Sequence, residues 1–488
     1  NHSRQQVHEV TIGVRQDGTI VALRDTLYCD MGGYIRTHGV LVPMNTALLL
    51  PGPYKIPHYA YTLHAVLTSK TPVGTYRAPG GYEATFVRER LLDLVAERLR
   101  LDAAELRRRN LVQPADMPYD VGTRALDRAT VYDSGDFPRT LQRTLEAVGY
   151  PAFRARQRLW WSQGRYRGIG LAVYPEKSGL GPFEGARVRL DGSGLVVVST
   201  GAAPMGQGIE TILGQIAAEV LHVAPETITV RCGDTEAMPH GVGTFASRTT
   251  VMAGSAVHRA AMTLRQRLCR LAAEHLEAAA EDIVLDNGHA RVKGSPQTTV
   301  SFRQLAALAS PARRHETSQT AVDVTEYFQS TQPTYATGVA AVEVEVDIDT
   351  ASVTVLRGVV GYDLGRAINP LLAEGQIVGG AVRGIGGALL EELCYDSSGQ
   401  LLTASFMDYL IPTAAEVPNI EALVLEDTPS SLNPLGVKGA GEGGIVGMGG
   451  AVANAVADAL RPLGVRLTQL PLSPSVVHAA IRRAAHQA

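Results

Sequence analysis

The sequence predicts an α+β fold, with mixed or antiparallel sheets and packed helices, rather than a doubly wound parallel sheet. Three observations carry that expectation. Alternating apolar and polar runs are joined by Asp-Gly dipeptides, the signature of tight antiparallel hairpins. Helical periodicity is confined to long separate blocks, and no repeat of fixed period runs through the chain. The length of 488 residues allows two or three domains.

Taken in order, residues 7–30 (VHEVTIGVRQDGTIVALRDTLYCD) alternate and turn at Asp17-Gly18, and a second alternating run covers Tyr59–Leu67. After TYRAPGG the period changes, with Val87, Leu91, Val95 and Leu99 four residues apart and Leu94 widening the stripe. Asp102 followed by Glu105 reads as a capping box opening a short basic helix to about Arg109. The polar, proline-containing stretch Gln113 to Asp136 marks a boundary, which divides the chain into 1–125 and 126–488. A second hairpin turns at Asp191-Gly192, and GAAPMGQG leads into a helix faced by Ile209, Ile212, Leu213, Ile216 and Val220. The strand TITVRC follows, then a helix over roughly Val251–Ala278, then a β-turn-rich segment with a polar loop between Glu281 and Thr320. VEVEVDID and SVTVLRGVVGYDL form a further hairpin, and a long glycine-spaced helix follows Asn369-Pro370.

Composition excludes several classes. Hydrophobic residues make up 45% and charged residues 19%, as in folded chains. A net charge of −3 gives no basic surface for nucleic acid. Cys29, Cys232, Cys269 and Cys394 are too scattered for a disulfide scaffold, a zinc ribbon or an iron–sulfur centre. The 13 histidines show no ligand spacing, and the P-loop, HExxH and GxSxG templates are absent. No apolar run is long enough for a membrane span, since GGIVGMGGAVANAVA is mostly glycine and alanine and soon meets Asp458. The chain opens at Asn1 with no basic-then-apolar leader, which suggests a piece of a longer polypeptide and a cytoplasmic location.

Glycine is the outlier, at 50 residues, and its clusters hold the candidate chemistry. In GAAPMGQGIET, Gly206 and Gly208 let main-chain N–H groups approach a ligand at a helix start. Gln207 and Thr211 add an amide and a hydroxyl there. In GVGTFASRTT, Thr244, Ser247, Arg248 and Thr249 place hydroxyls and a guanidinium before another helix, a composition suited to phosphate. Either loop alone also reads as a tight turn with a helix cap. The third cluster has 8 glycines among the 15 residues from Gly436 to Gly450, with Glu442 as its one carboxylate. Glycine neighbours would leave room for a substrate, making Glu442 the candidate general base. The competing reading is a carboxylate that is solvated or caps the next helix. Gly439, Gly441 and Gly444 also fit a dinucleotide fingerprint, but SSLNPLGVK before them is no hydrophobic strand. Arg77, beside a Pro-Gly-Gly turn, reads on its own as a surface arginine.

The order TYRAPGGYEA, MGQGIET, VRCGDT, GTFASRTT, DLGRAINP with EGQIVGG, and GVKGAGEGG resembles the molybdenum hydroxylase family of xanthine dehydrogenase and aldehyde oxidase, from about Val7 to the end. The resemblance implies two molybdopterin-binding domains, residues 1–125 being the C-terminal part of the first and 126–488 the second. It implies that Glu442 takes a proton from a molybdenum-bound hydroxyl that attacks an electron-poor carbon of an aldehyde, purine or N-heteroaromatic. Gly206, Gln207 and Gly208 would lie beside the pterin and the metal's oxo ligand, with Thr211 also binding the cofactor and with Gln207 and Arg77 joining Glu442 as catalytic residues. Thr244, Ala246, Ser247, Arg248 and Thr249 would line the substrate pocket and dinucleotide tail. Gln376 would sit near the pyrophosphate, Arg77 in the family's arginine loop, and Lys438 and Gly441 in its KGxGE segment; Asn45 and Tyr174 are further candidates for the pocket wall.

Molybdenum, carried by molybdopterin in its cytosine dinucleotide form, would need no protein ligand. Implied partners are a 2Fe-2S iron–sulfur subunit, an FAD subunit and an N-terminal portion of the large subunit that this sequence does not contain. Carbon monoxide dehydrogenases hold copper on a cysteine after the arginine, where this chain has Ala78, which disfavours that reaction. The alternative is a relic or accessory protein that keeps the fold without the cofactor.

Overall fold

A computed structural model describes residues 2, 4–125, 128–310 and 322–486. Its secondary structure is mixed, as the alternation and periodicity predict. One four-stranded sheet has the order Ile420–Leu425, Val353–Asp363, Thr334–Val346, Tyr166–Ser178, parallel at the first pair and antiparallel at the others. Helix Met448–Ala459 lies on it without an intervening side-chain layer. At Gly168 and Gly170 an added Cβ would stand 2.0 Å from the carbonyl oxygen of Ala455 and 2.1 Å from that of Ala451. Only glycine lets strand and helix backbones meet there.

A second four-stranded sheet runs Asp323–Phe328, Glu184–Leu190, Val196–Thr200, Ile228–Cys232. Helices Ile209–Leu221 and Thr249–Leu276 share its core, through Leu213, Ile216, Val257 and Leu264. A three-stranded sheet near the start pairs Gln6–Val14 with Ile20–Gly32 antiparallel, then Ile20–Gly32 with His58–Leu67 parallel. The first hairpin turns as expected, with Gly18 at φ +91° and the Thr19 N–H donating to Asp17 Oδ1 at 2.9 Å.

Three expectations are corrected. Asp102 does cap helix Ala103–Asn110, accepting from the N–H groups of Ala104 and Glu105. The reciprocal half of the box is absent, because Glu105 turns outward to Arg108 and Arg109. In helix Gly81–Leu99 the Val87, Leu91 and Val95 stripe is only half-buried, whereas Arg88, Glu89 and Arg90 are buried. The segment after Glu281 forms strands Ile283–Asp286, His289–Val292 and Ser295–Ser301, and adds helix Phe302–Leu308. The rest of the polar loop, 311–321, lies outside the described residues, as do 126 and 127 at the expected domain boundary.

The buried charges of helix Gly81–Leu99 are matched. Glu89 is fully buried and accepts from Tyr54 Oη at 3.0 Å, Arg88 Nε at 2.9 Å, Arg107 Nε at 2.8 Å and the Val173 N–H at 3.1 Å. Removing the carboxylate would strand two buried guanidinium groups, which typically costs about 3–5 kcal/mol. Glu89→Ala is therefore expected to lose stability on that scale in denaturant unfolding; a loss below about 1 kcal/mol would contradict this role.

Candidate active site

Three loops, each entering a helix, meet at one carboxyl group, and a fourth is tied to them through Thr244. Residues 74–80 lead into helix Gly81–Leu99, and residues 201–208 into Ile209–Leu221. Residues 241–248 lead into Thr249–Leu276, and residues 436–442 into the short turn Gly443–Val446. Glu442 is half-buried where 74–80, 241–248 and 436–442 meet. Its Oε1 accepts from the Ala78 N–H at 3.0 Å and its Oε2 from the Ser247 hydroxyl at 3.4 Å. It does not cap the helix that follows, since its side chain makes no cap hydrogen bond. Burial pushes its pKa above the ordinary 4.5, while the Ala78 N–H and the Arg77 guanidinium pull the other way.

Both residues that hold Glu442 sit in strained backbone. Ala78 has φ +59°, and Ala246 and Ser247 have φ +47° and +49°. Left-handed geometry in non-glycine residues costs on the order of 1–2 kcal/mol each and persists only where surroundings enforce it. At the 74–80 loop the enforcement comes from Arg77, whose Nε donates to the Gly441 carbonyl at 2.7 Å. Its Nη2 donates to the main-chain oxygen of Gln376 at 3.2 Å and to the Gln376 side chain at 3.3 Å. Arg77 is thus an internal tie, not a surface arginine. Thr244 joins the second and third loops, its hydroxyl donating to the Ala203 carbonyl at 2.8 Å and accepting from the Ala203 N–H at 3.0 Å. Thr249 adds a contact to Thr244 at 3.3 Å.

The glycines around Glu442 serve packing rather than substrate room. An added Cβ would stand 2.2 Å from the Ser247 carbonyl at Gly439, 2.2 Å from the Tyr362 ring at Gly443 and 1.9 Å from the Ile377 carbonyl at Gly444. The space that the glycine composition suggested is filled by protein. Gly206 differs: it has φ +91°, lies on an exposed loop, and its added Cβ would meet nothing within 4 Å. Next to it, Gln207 folds back, accepting from the Met205 N–H and reaching the Ala203 carbonyl at 3.5 Å. Helices Ile209–Leu221 and Thr249–Leu276 have no side-chain cap at their N-termini, where Thr211 is exposed. Their first N–H groups therefore suit an anion.

Two expected ligand groups face elsewhere. Arg248 is buried; its guanidinium pairs with Glu184 at 2.6 Å and donates to the carbonyls of Leu180, Phe183 and Gly243. Its role is to shape the loop, because its donors are taken by the protein. Lys438 is also buried, with Nζ at 3.0 Å from Thr428 Oγ1 and 3.5 Å from the Ser134 carbonyl. Burial lowers its pKa while Asp363 and Asp133 oppose the shift, so its ammonium belongs to a separate polar cluster.

Sequence reasoning missed Glu176, a 3% exposed carboxyl on strand Tyr166–Ser178 whose pKa is pushed well above the ordinary range by burial and by Glu442. An acid inside the apolar run GLAVYPEKS was the available signal. Tyr174 is buried beneath the site and donates to the Gly443 carbonyl at 2.7 Å; Asn45 donates to the Pro79 carbonyl at 3.2 Å. No cluster of three or more His, Cys, Asp or Glu with metal-binding geometry occurs among the described residues.

Comparison with known proteins gives two family matches, both described as molybdopterin cofactor-binding domains, over residues 1–111 and 143–418. The chain is 42% identical over 478 residues to the 6-hydroxypseudooxynicotine dehydrogenase complex subunit gamma of Paenarthrobacter nicotinovorans, spanning 98% of this chain and 60% of that protein. It is 35% identical over 494 residues to the nicotine 6-hydroxylase large subunit of the same organism, again covering 98% and 60%. The crystal structure of quinoline 2-oxidoreductase from Pseudomonas putida 86 superposes with a TM-score of 0.91 at 36% identity, over 99% of this chain and 62% of that one. The chain thus spans about 60% of the length of the curated relatives it matches.

A buried acid with a raised pKa makes stability depend on pH in a defined direction. The native state binds the proton more tightly than the unfolded chain, so the stability that goes with it is full below 4.5 and falls as pH rises through the higher native value. Glu442→Gln, which stays neutral, is expected to raise the melting temperature relative to the unsubstituted protein more at pH 7 than at pH 4. An equal change at both pH values would contradict the raised pKa.

Proposed function

Since the chain belongs to the xanthine dehydrogenase/carbon monoxide dehydrogenase family of molybdopterin-binding proteins, we propose that it forms the catalytic part of a molybdenum hydroxylase acting on an N-heteroaromatic carbon. The observation that carries this reading is Glu442, half-buried between the Ala78 N–H and the Ser247 hydroxyl, with its pKa raised above the ordinary 4.5 by burial. Aldehydes and purines are the other substrate classes in view. The N-heteroaromatic class is favoured by the names of relatives that act on nicotine and quinoline, while Ala78, standing where carbon monoxide dehydrogenases hold copper, speaks only against the copper-dependent reaction.

The residues present fit the cofactor. Open space beside Gly206 and two uncapped helix starts joined by Thr244 suit a phosphate-bearing pterin. Main-chain N–H groups around Gly206–Thr211 would hold one phosphate. Those around Ala246–Thr249 would hold a second, which suits the cytosine dinucleotide form. Gln207, beside them, would face the pterin, and Gln376, held by Arg77, would border the pyrophosphate. When bound, the molybdenum group supplies two-electron oxidation of a carbon with oxygen taken from water. Replacing C–H by C–OH with water releases two protons and two electrons. Glu442 accepts the first proton on its carboxyl, whose Oε1 the Ala78 N–H holds in place. Ser247 steadies the other oxygen, and Arg77 anchors the Gly441 carbonyl one residue before the base.

The electrons would pass to 2Fe-2S and FAD groups on partner subunits. The pocket would be completed by protein equivalent to the stretch of the relatives that this chain does not span. Division into units 1–125 and 126–488 is part of the same proposal, and so is a cytoplasmic site, which suits four unpaired cysteines. No helix among the described residues is long and apolar enough to cross a membrane.

The test is Glu442→Gln in the assembled enzyme, with molybdenum measured in the same samples. Turnover is expected to fall at least about a hundredfold at unchanged metal content, the usual scale for a lost general base. The unsubstituted enzyme should show kcat/KM rising with pH through a value above 4.5 as Glu442 ionises. Near-normal turnover of the fully loaded variant would remove Glu442 from the mechanism, and absence of molybdenum after expression in a cofactor-competent host would favour the non-catalytic relic.

A further inference from the structure

Behind Glu442 lies a hydrogen-bond arrangement that an ionised Glu176 cannot satisfy. Tyr362, fully buried on strand Val353–Asp363, has its hydroxyl oxygen 2.7 Å from the Gly439 carbonyl and 3.1 Å from Oε2 of Glu176. A phenol carries one hydrogen, and a carbonyl oxygen can only accept. The shorter contact therefore takes the phenolic hydrogen, and the contact to Glu176 needs a hydrogen from the carboxyl. As a carboxylic acid, Glu176 donates Oε2–H to the Tyr362 oxygen and all three oxygens are paired. Ionised, it would compete with the Gly439 carbonyl for a single hydrogen, leaving one buried acceptor unmatched. Tyr174 cannot supply the missing hydrogen, because its hydroxyl is committed to the Gly443 carbonyl.

Charge balance points the same way. The groups facing the two carboxyls are Arg77, Arg4, Ser247 and the phenols of Tyr174, Tyr335 and Tyr362, whose pKa values burial pushes up and keeps neutral. Arg4 is paired with Glu83 at 3.3 Å. Lys177 follows Glu176 on the strand and so faces the opposite side of the sheet. Arg77 is thus the one unpaired cation facing two carboxyl groups among the described residues, and a single proton balances the set. The Ser247 hydroxyl contacts Glu442 Oε2 at 3.4 Å and stands close to Glu176 as well, its single hydrogen serving one carboxyl at a time.

We propose that Glu176 and Glu442, which face one another across Ser247, form a coupled pair that holds one proton, with Glu176 the protonated member and Glu442 the ionised one. The second clause rests on the reading of Glu442 as the base. Glu176 is then a positioning residue: kept neutral, it leaves Glu442 free of a neighbouring negative charge and ready to accept a proton.

Infrared titration of the purified protein, its Glu176→Gln variant and its Glu442→Gln variant tests this over roughly pH 5–9, independent of turnover. The unsubstituted protein is expected to show a protonated-carboxyl C=O band at pH 7 that Glu176→Gln lacks. In Glu442→Gln that band should titrate at least about one pH unit lower, because the neighbouring charge is gone. No such band at pH 7, or a titration unmoved in Glu442→Gln, would overturn the proposal. If Glu176→Gln does not fold, the shift between the other two proteins decides the matter. If Glu442→Gln keeps its turnover while the band behaves as expected, the assignment of the base fails and the shared proton stands.

Discussion

The site depends on main chain touching main chain. Glu442 is held by Ala78, 364 residues earlier, and by Ser247, 195 residues earlier. Those groups reach it only because Gly439, Gly443 and Gly444 have no side chains to keep the 436–446 segment away from Ser247, Tyr362 and helix Pro370–Leu389. The same device operates one layer below, where Gly168 and Gly170 admit helix Met448–Ala459 onto the sheet. Close approach fixes the carboxyl rigidly, and the left-handed residues Ala78 and Ser247 are tolerated because surrounding backbone leaves no alternative. A carboxyl placed this way is preoriented before any ligand arrives.

Buried charge separates the scaffold from the chemistry. Arg88 and Arg107 meet Glu89, and Arg248 meets Glu184, with the remaining donors taken by main-chain oxygens. In these clusters each buried charge meets an opposite charge and main-chain partners. Around Arg77 the matching is off by one: two carboxyls share a guanidinium, and both acids have raised pKa values. Groups left in that state are where proton transfer near neutral pH becomes feasible.

Much of this was readable along the chain. Hairpins announced themselves through alternation and Asp-Gly turns, and the glycine loops appeared in the order in which the fold uses them. What the glycines do was not readable: Gly443 and Gly206 look alike as letters, yet one abuts the Tyr362 ring and the other borders open space. The direction a charge faces was equally hidden. Arg77 and Arg248 both flank glycine turns, and both turn inward, because partners from distant segments receive them. Lys438, four residues before Glu442, serves a different cluster. Glu176 escaped notice because its significance comes from Tyr362 and Ser247, on other elements. Burial of Arg88, Glu89 and Arg90 defied the stripe because helix Gly81–Leu99 is covered by helix Met448–Ala459 and strand Tyr166–Ser178 as well as by strand Gln6–Val14.

The most direct measurement is a crystal structure of the assembled protein with molybdenum located by its anomalous scattering. The account predicts molybdenum bound beside the Glu442 carboxyl, with the pterin along the Gly206–Thr211 loop. Molybdenum sited away from Glu442, with that carboxyl facing only protein and solvent, would contradict it.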